Sequence, residues 1–136
     1  MSGLNIFVVE VYDAMRHASV MALRSMGHTV ASARAFDDSL LLANTDILML
    51  SLAGQDGLAL LRRIRAAQPD IGIIVLTPGA QGDDMVNAYR SGADLVLQKF
   101  APADEVGAAI RSLARRMHSG EASAGQSRST RPRRIS

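Results

Sequence analysis

Four polar side chains close four apolar runs of this chain, and their types define the chemistry open to it. Glu10 ends Ile6-Phe7-Val8-Val9, Ser51 ends Ile47-Leu48-Met49-Leu50, Thr77 ends Ile73-Ile74-Val75-Leu76, and Lys99 follows Leu95-Val96-Leu97-Gln98. A carboxylate, two hydroxyls and an ammonium group could hold a small ion or accept a group on oxygen. Thr77 and Lys99 together could bind an anion; Lys99 could equally pair with Glu10. Ser51 reads as a small polar residue closing a strand, with a serine phosphosite as the lesser reading. Cysteine is absent, which excludes disulfides, thiolate metal sites and a cysteine nucleophile. His17, His28 and His118 lack ligand spacing and are expected at the surface. Asp56-Gly57 reads as a turn or cap before a helix. No catalytic residue, metal site or cofactor is assigned.

The runs that carry these residues alternate with helical patterns. Asn5–Glu10, Asp46–Leu50 and Ile71–Leu76 are continuous apolar segments, as expected of strands covered on both faces. His28–Ala33 and Leu95–Leu97 are shorter strands. Between them, residues 13–26 show Met15, Ala18, Ala22 and Met26 at helical spacing, with Asp13 as N-cap and Gly27 as stop. Residues 37–42 form a stunted helix at best. Gly57–Ala67 places Leu58, Leu61 and Ile64 on one face, Asp83–Arg90 stops at Gly92, and Pro102–Met117 carries Val106, Ile110, Leu113 and Met117. Five strand–helix alternations imply a parallel sheet between helical layers, a flavodoxin-like (βα)5 sandwich of strand order 2-1-3-4-5. Folds of this kind keep their sites at the carboxyl ends of the strands, where the four polar residues lie.

Length and composition bound the rest. The 136 residues suit one domain, and the 48% hydrophobic content with only 4% aromatics implies an aliphatic core. No apolar stretch approaches the roughly 20 residues needed to span a membrane, so no membrane partner is expected and a cytoplasmic location is. The pI of 9.7 suggests nucleic acid until the charges are located. Residues 1–118 carry eleven Lys+Arg against twelve Asp+Glu; residues 119–136 carry four arginines against Glu121. Basicity therefore belongs to an Arg/Ser-rich tail over 119–136, expected to be disordered, and nucleic acid is not expected as a partner of the domain over 1–118.

In their order, the motifs resemble the receiver domain of two-component response regulators, the CheY-like family. Asp46–Ser51 followed by Asp56–Arg65 is similar to its phosphoacceptor strand and next helix. Ile73–Thr77 is similar to the strand ending in a switch threonine, and Ser91–Asp94 with Leu95–Lys99 to the strand ending in a lysine. The resemblance spans residues 4 to about 117. It implies that an aspartate should stand at Ser51 and a second acid at Val11, the two joining Glu10 around Mg²⁺. It also implies a longer loop after Ser51, a proline at Phe100 and an aromatic at Val96. With acceptor, metal ligand, loop and aromatic all changed, the resemblance implies an atypical receiver without the phosphorylation cycle, leaving Glu10, Val11, Ser51, Thr77 and Lys99 as a degenerate site.

The expected function is therefore that of a stand-alone, non-enzymatic signalling domain acting by phosphorylation-independent protein binding, since no DNA-binding segment follows. The resemblance places the docking face on the fourth helix, fifth strand and fifth helix, here Tyr89, Arg90, Val96, Gln98, Arg111 and Arg115. A kinase, regulator or output protein would be the partner. The alternative is an effector that binds a cyclic dinucleotide (cyclic di-GMP) through arginines of the last helix and tail, because arginine forks suit guanine edges and phosphates.

Overall fold

The structure is a computed structural model that describes residues 3–37, 43–52, 54–79 and 82–127. Five strands, β1 (Asn5–Val9), β2 (Thr29–Ala33), β3 (Ile47–Ser51), β4 (Gly72–Thr77) and β5 (Leu95–Gln98), pair in parallel in the order β2-β1-β3-β4-β5. Among the described residues four helices connect or follow them: α1 (Asp13–Ser25), α2 (Gly54–Ala67), α3 (Gly82–Ser91) and α4 (Ala103–Ser127). This is the flavodoxin-like arrangement expected from the alternation.

Side-chain alternation along the central strands divides the core between the two faces of the sheet. Leu48 and Leu50 of β3 join Ile73 and Val75 of β4 under Leu61 and Ile64 of α2 and Ala88 of α3. On the other face Ile47, Met49, Ile74 and Leu76 meet Val20 and Leu23 of α1 and Ile110 and Leu113 of α4. Each fully buried Leu or Ile of this kind contributes about 1.5–3 kcal/mol. Two-sided burial explains why these strands read as unbroken apolar runs. β3 joins β1 and β4 in register, Val9 beside Leu50 and Ser51 beside Leu76, which sets the strand ends side by side.

Several boundaries differ from the expectation. Tyr12, not Asp13, is the N-cap of α1; Asp13 is the first helical residue, and its carboxylate pairs with Arg16 and Arg34 at 2.8 Å each. Val20 and Leu23 are the buried residues of α1, while Met15, Ala18 and Ala22 line an open apolar groove toward the start of α4. β2 begins one residue late because the His28 ring is turned inward, its Nδ1 accepting from the Leu4 N–H at 3.0 Å. That histidine is half-buried rather than on the surface. α2 begins at Gly54, so Asp56 and Gly57 lie inside the helix instead of preceding it. A Cβ on Gly57 would come within 3.0 Å of the Leu52 side chain, so glycine lets the helix sit directly on the strand end. α4 runs to Ser127, through the first half of the segment expected to be disordered, with no proline to stop it before Pro132. The short helix expected at 37–42 falls almost wholly outside the described residues.

Candidate functional site

Glu10 leaves β1 directly beside the end of β3 and is only 2% exposed. A buried carboxylate is costly unless its lone pairs are met, and here three donors meet them. The Ser51 hydroxyl donates to Oε1 at 2.6 Å, the Tyr12 backbone N–H donates to Oε2 at 3.0 Å, and the Lys99 ammonium lies 3.4 Å from both oxygens. Lys99 reaches this point from the far strand: β4 lies between β3 and β5, and the aliphatic stem crosses over its end. Its side chain is 9% exposed, and its ammonium sits 4.9 Å from the centre of the Tyr12 ring, within cation–π range.

These contacts settle the charge state of Glu10. Burial pushes the carboxyl up, but the Ser51 hydroxyl, the Tyr12 amide and the Lys99 charge together outweigh it and hold the group below its ordinary value. The site is thus an ionised, buried carboxylate closed by a hydroxyl, an amide and an ammonium. The Glu10 backbone is fixed as well: its N–H donates to the Ala33 carbonyl at 3.1 Å, and its carbonyl accepts from the Arg16 guanidinium at 2.9 Å.

Of the five residues singled out at the strand ends, the structure brings Glu10, Ser51 and Lys99 into contact. Thr77 is half-buried between them and engages Lys99 through the backbone, its carbonyl accepting the Lys99 N–H at 3.0 Å. Val11 turns away and is 50% exposed. Tyr12 was not foreseen: it acts through a backbone amide and a ring face, neither of which residue spacing discloses. On the expected docking face, Tyr89, Arg90, Gln98, Arg111 and Arg115 are exposed. Val96 is not; at 7% exposure it belongs to the core, and its backbone N–H is taken by the Tyr89 hydroxyl at 3.2 Å. Phe100, 80% exposed, stands at the rim of the apolar groove between α1 and α4.

The Response regulator receiver domain family matches residues 6–111, about three quarters of the chain. The chain belongs to the response regulator receiver domain family. Among the relatives of this receiver, the virulence transcriptional regulatory protein PhoP of Salmonella typhimurium is 33% identical over 125 residues, covering 88% of this chain and 55% of PhoP. The transcriptional regulatory protein AfsQ1 of Streptomyces coelicolor is 34% identical over 117 residues, covering 82% of this chain and 52% of AfsQ1. The receiver therefore spans about half the length of the relatives it matches. Among solved structures, the signal receiver domain of an HD domain-containing protein from Pseudomonas fluorescens Pf-5 superposes with a TM-score of 0.75 at 24% identity, covering 86% of this chain and 98% of that one. A response regulator from Thermotoga maritima gives 0.74 at 22%, covering 82% and 97%. Receiver domains of this family serve signal transduction.

A divalent cation of the kind receiver domains use does not fit these side chains. Mg²⁺ needs several oxygen ligands around it. Both Glu10 oxygens are already engaged, Val11 offers no side-chain oxygen, and the Lys99 ammonium would repel a second cation at the same carboxylate. Among the described residues no three His, Cys, Asp or Glu side chains come together as a metal site.

Proposed function

We propose that this receiver transmits its signal through phosphorylation-independent contacts with a protein partner. In this reading Ser51 stands where other members carry the acceptor aspartate, and Val11 where they carry a second acid. The observation that supports it most strongly is the internal closure of Glu10. Serine cannot form an acyl phosphate, and the carboxylate 2.6 Å from its hydroxyl would repel a phosphoryl group brought there. Lys99, which in other members would neutralise such a group, is committed to Glu10. The domain is then a fixed shape rather than a switch, and not an enzyme.

The docking face in this reading lies on α3, β5 and α4, where Tyr89, Arg90, Gln98, Arg111 and Arg115 are exposed. Arg90, Arg111 and Arg115 have no ion-pair partner among the described residues, which favours a partner of acidic surface. Exposed arginines add little to stability but are frequent among interface hot spots. Partner capture from the native cytosol is expected to be the same with and without acetyl phosphate and Mg²⁺. Charge reversal at Arg111 and Arg115 is expected to abolish it while circular dichroism stays unchanged. Capture that requires the phosphodonor would defeat this reading. The same unpaired arginines support the second reading, cyclic-dinucleotide binding, which a titration with cyclic di-GMP tests directly.

A further inference from the structure

The helical stripe of Met15, Ala18, Ala22 and Met26 reads as core in the sequence, yet it borders an open groove of about 450 Å³ between α1 and α4. The floor of the groove is the sheet itself, Met49 of β3 and Leu76 of β4. Its walls include Ala18 and Ala22 of α1 and Ala103 and Val106 of α4. Ala18 and Ala22 lie one turn apart on one face of α1, and their short side chains leave the space that larger ones would fill. At one end the two helices meet, for a Cβ on Gly107 would lie 3.4 Å from the Met26 sulfur. At the other end Phe100 stands on the rim, 80% exposed.

One charged side chain lines this groove, that of Lys99, and it is only 9% exposed. Glu10 neutralises it, and at 3.4 Å to each oxygen can take two of the three ammonium N–H donors. One donor is left for an acceptor inside the groove.

We propose that the groove binds an uncharged, largely apolar small molecule whose single acceptor oxygen, such as a ketone carbonyl, meets Lys99. The volume falls in the range of small-molecule sites, roughly 300–1,000 Å³, and such sites pair apolar walls with few polar groups. Charge selects a neutral occupant: an anion would have to compete with Glu10 for Lys99, and a cation would be repelled by the same ammonium group. Depth selects a small one. A partner helix is about 10 Å across and lies along a groove, whereas here the floor is the sheet beneath both helices and α4 closes on α1 at Gly107. Met15 and Met26 give the walls adaptable surface, and Phe100 would leave water by folding over an occupant. The groove shares no residue with the proposed docking face on α3, β5 and α4, so the two proposals can fail separately.

The test uses Nile red, an uncharged dye whose emission brightens in apolar surroundings, titrated into the full chain. Saturable one-to-one binding is expected, with displacement by 2-decanone and at least about tenfold weaker displacement by decanoate of equal chain length. Ala18→Trp, which fills the groove, should weaken binding at least about tenfold. Phe100→Ala, at an exposed position, should weaken it several-fold with circular dichroism unchanged. Ala108→Trp, on the outer face of α4, should leave it as in wild type. Amide shifts with 2-decanone should cluster at Ala18, Ala22, Ala103 and Val106, a readout that stands even if Ala18→Trp does not fold. Absence of saturable binding, shifts centred elsewhere, displacement by decanoate as strong as by 2-decanone, or full affinity in Phe100→Ala and a folded Ala18→Trp would overturn the proposal. So would self-association that Phe100→Ala abolishes and 2-decanone leaves untouched, which would give the groove to a second copy of the chain.

Discussion

The site turns on one carboxylate and the three groups that satisfy it. Glu10, Ser51 and Lys99 could be picked out in the sequence because each closes an apolar run, and the Glu10–Lys99 pairing was one of the two readings of that lysine. The Tyr12 amide could not be, since a backbone donor belongs to every residue and only the turn after β1 aims this one. Removing one partner of a buried pair leaves the other uncompensated, so Lys99→Met is expected to cost about 3 kcal/mol. That is the low end for such pairs, because Ser51 and Tyr12 remain. Urea denaturation of Lys99→Met, Glu10→Gln and the double variant should give a coupling of about 1 kcal/mol or more; additive losses would show that the two charges do not support each other. Acid titration makes the same point. Burial raises the Glu10 carboxyl, but its three partners bring it below the ordinary 4.5. A depressed folded-state pKa stabilises the native protein above the unfolded value, and that stability is lost as pH falls through the folded one. The advantage of wild type over Glu10→Gln should therefore be full above about pH 4.5 and shrink below it.

At the scale of elements, strand order and both core faces follow from unbroken apolar runs, but helix boundaries do not. Gly57 signals a helix start in sequence, yet it lies three residues inside α2 because the absent Cβ is needed against Leu52. The opposite end of the sheet holds a clamp that spacing does not reveal. Arg65, at the end of α2, donates to the carbonyls of Gln68, Pro69, Ile71 and Gly92 and to the Asp94 carboxylate at 2.7 Å, which in turn accepts the Ile73 N–H at 2.8 Å. One guanidinium thus ties α2 to the starts of β4 and β5. Its approach depends on Gly92, which adopts φ +124° and whose Cβ would lie 2.8 Å from that of Arg65. Gly92→Ala should cost about 1–3 kcal/mol in backbone strain and more if the clamp shifts, read as a lower melting temperature. Gly82→Ala, where a Cβ meets nothing within 4 Å, is the matched control and should stay within about 0.5 kcal/mol. Equal melting temperatures would show that the clamp tolerates displacement.

For the molecule as a whole, two devices sit at opposite ends of one sheet: a carboxylate closed at the strands' carboxyl ends and a guanidinium clamp at their starts. At both ends a charged side chain is held by contacts within the domain, Glu10 by Ser51 at 2.6 Å and Arg65 by Asp94 at 2.7 Å. Membership of the receiver family was legible because several strand-end motifs occur in order over residues 4 to about 117, and the family match to residues 6–111 agrees. The extent of α4 was not legible, because polar, low-aliphatic sequence reads as disorder whether or not a helix carries it. The most direct test of the closed site is the amide spectrum of the ¹⁵N-labelled chain, recorded with and without Mg²⁺ and beryllofluoride, which mimics a bound phosphoryl group. The resonances of Glu10, Tyr12, Ser51, Thr77 and Lys99 should not move. Saturable shifts clustered at those residues would show that the site still opens to a cation and a phosphoryl group, and that Lys99 is not committed to Glu10.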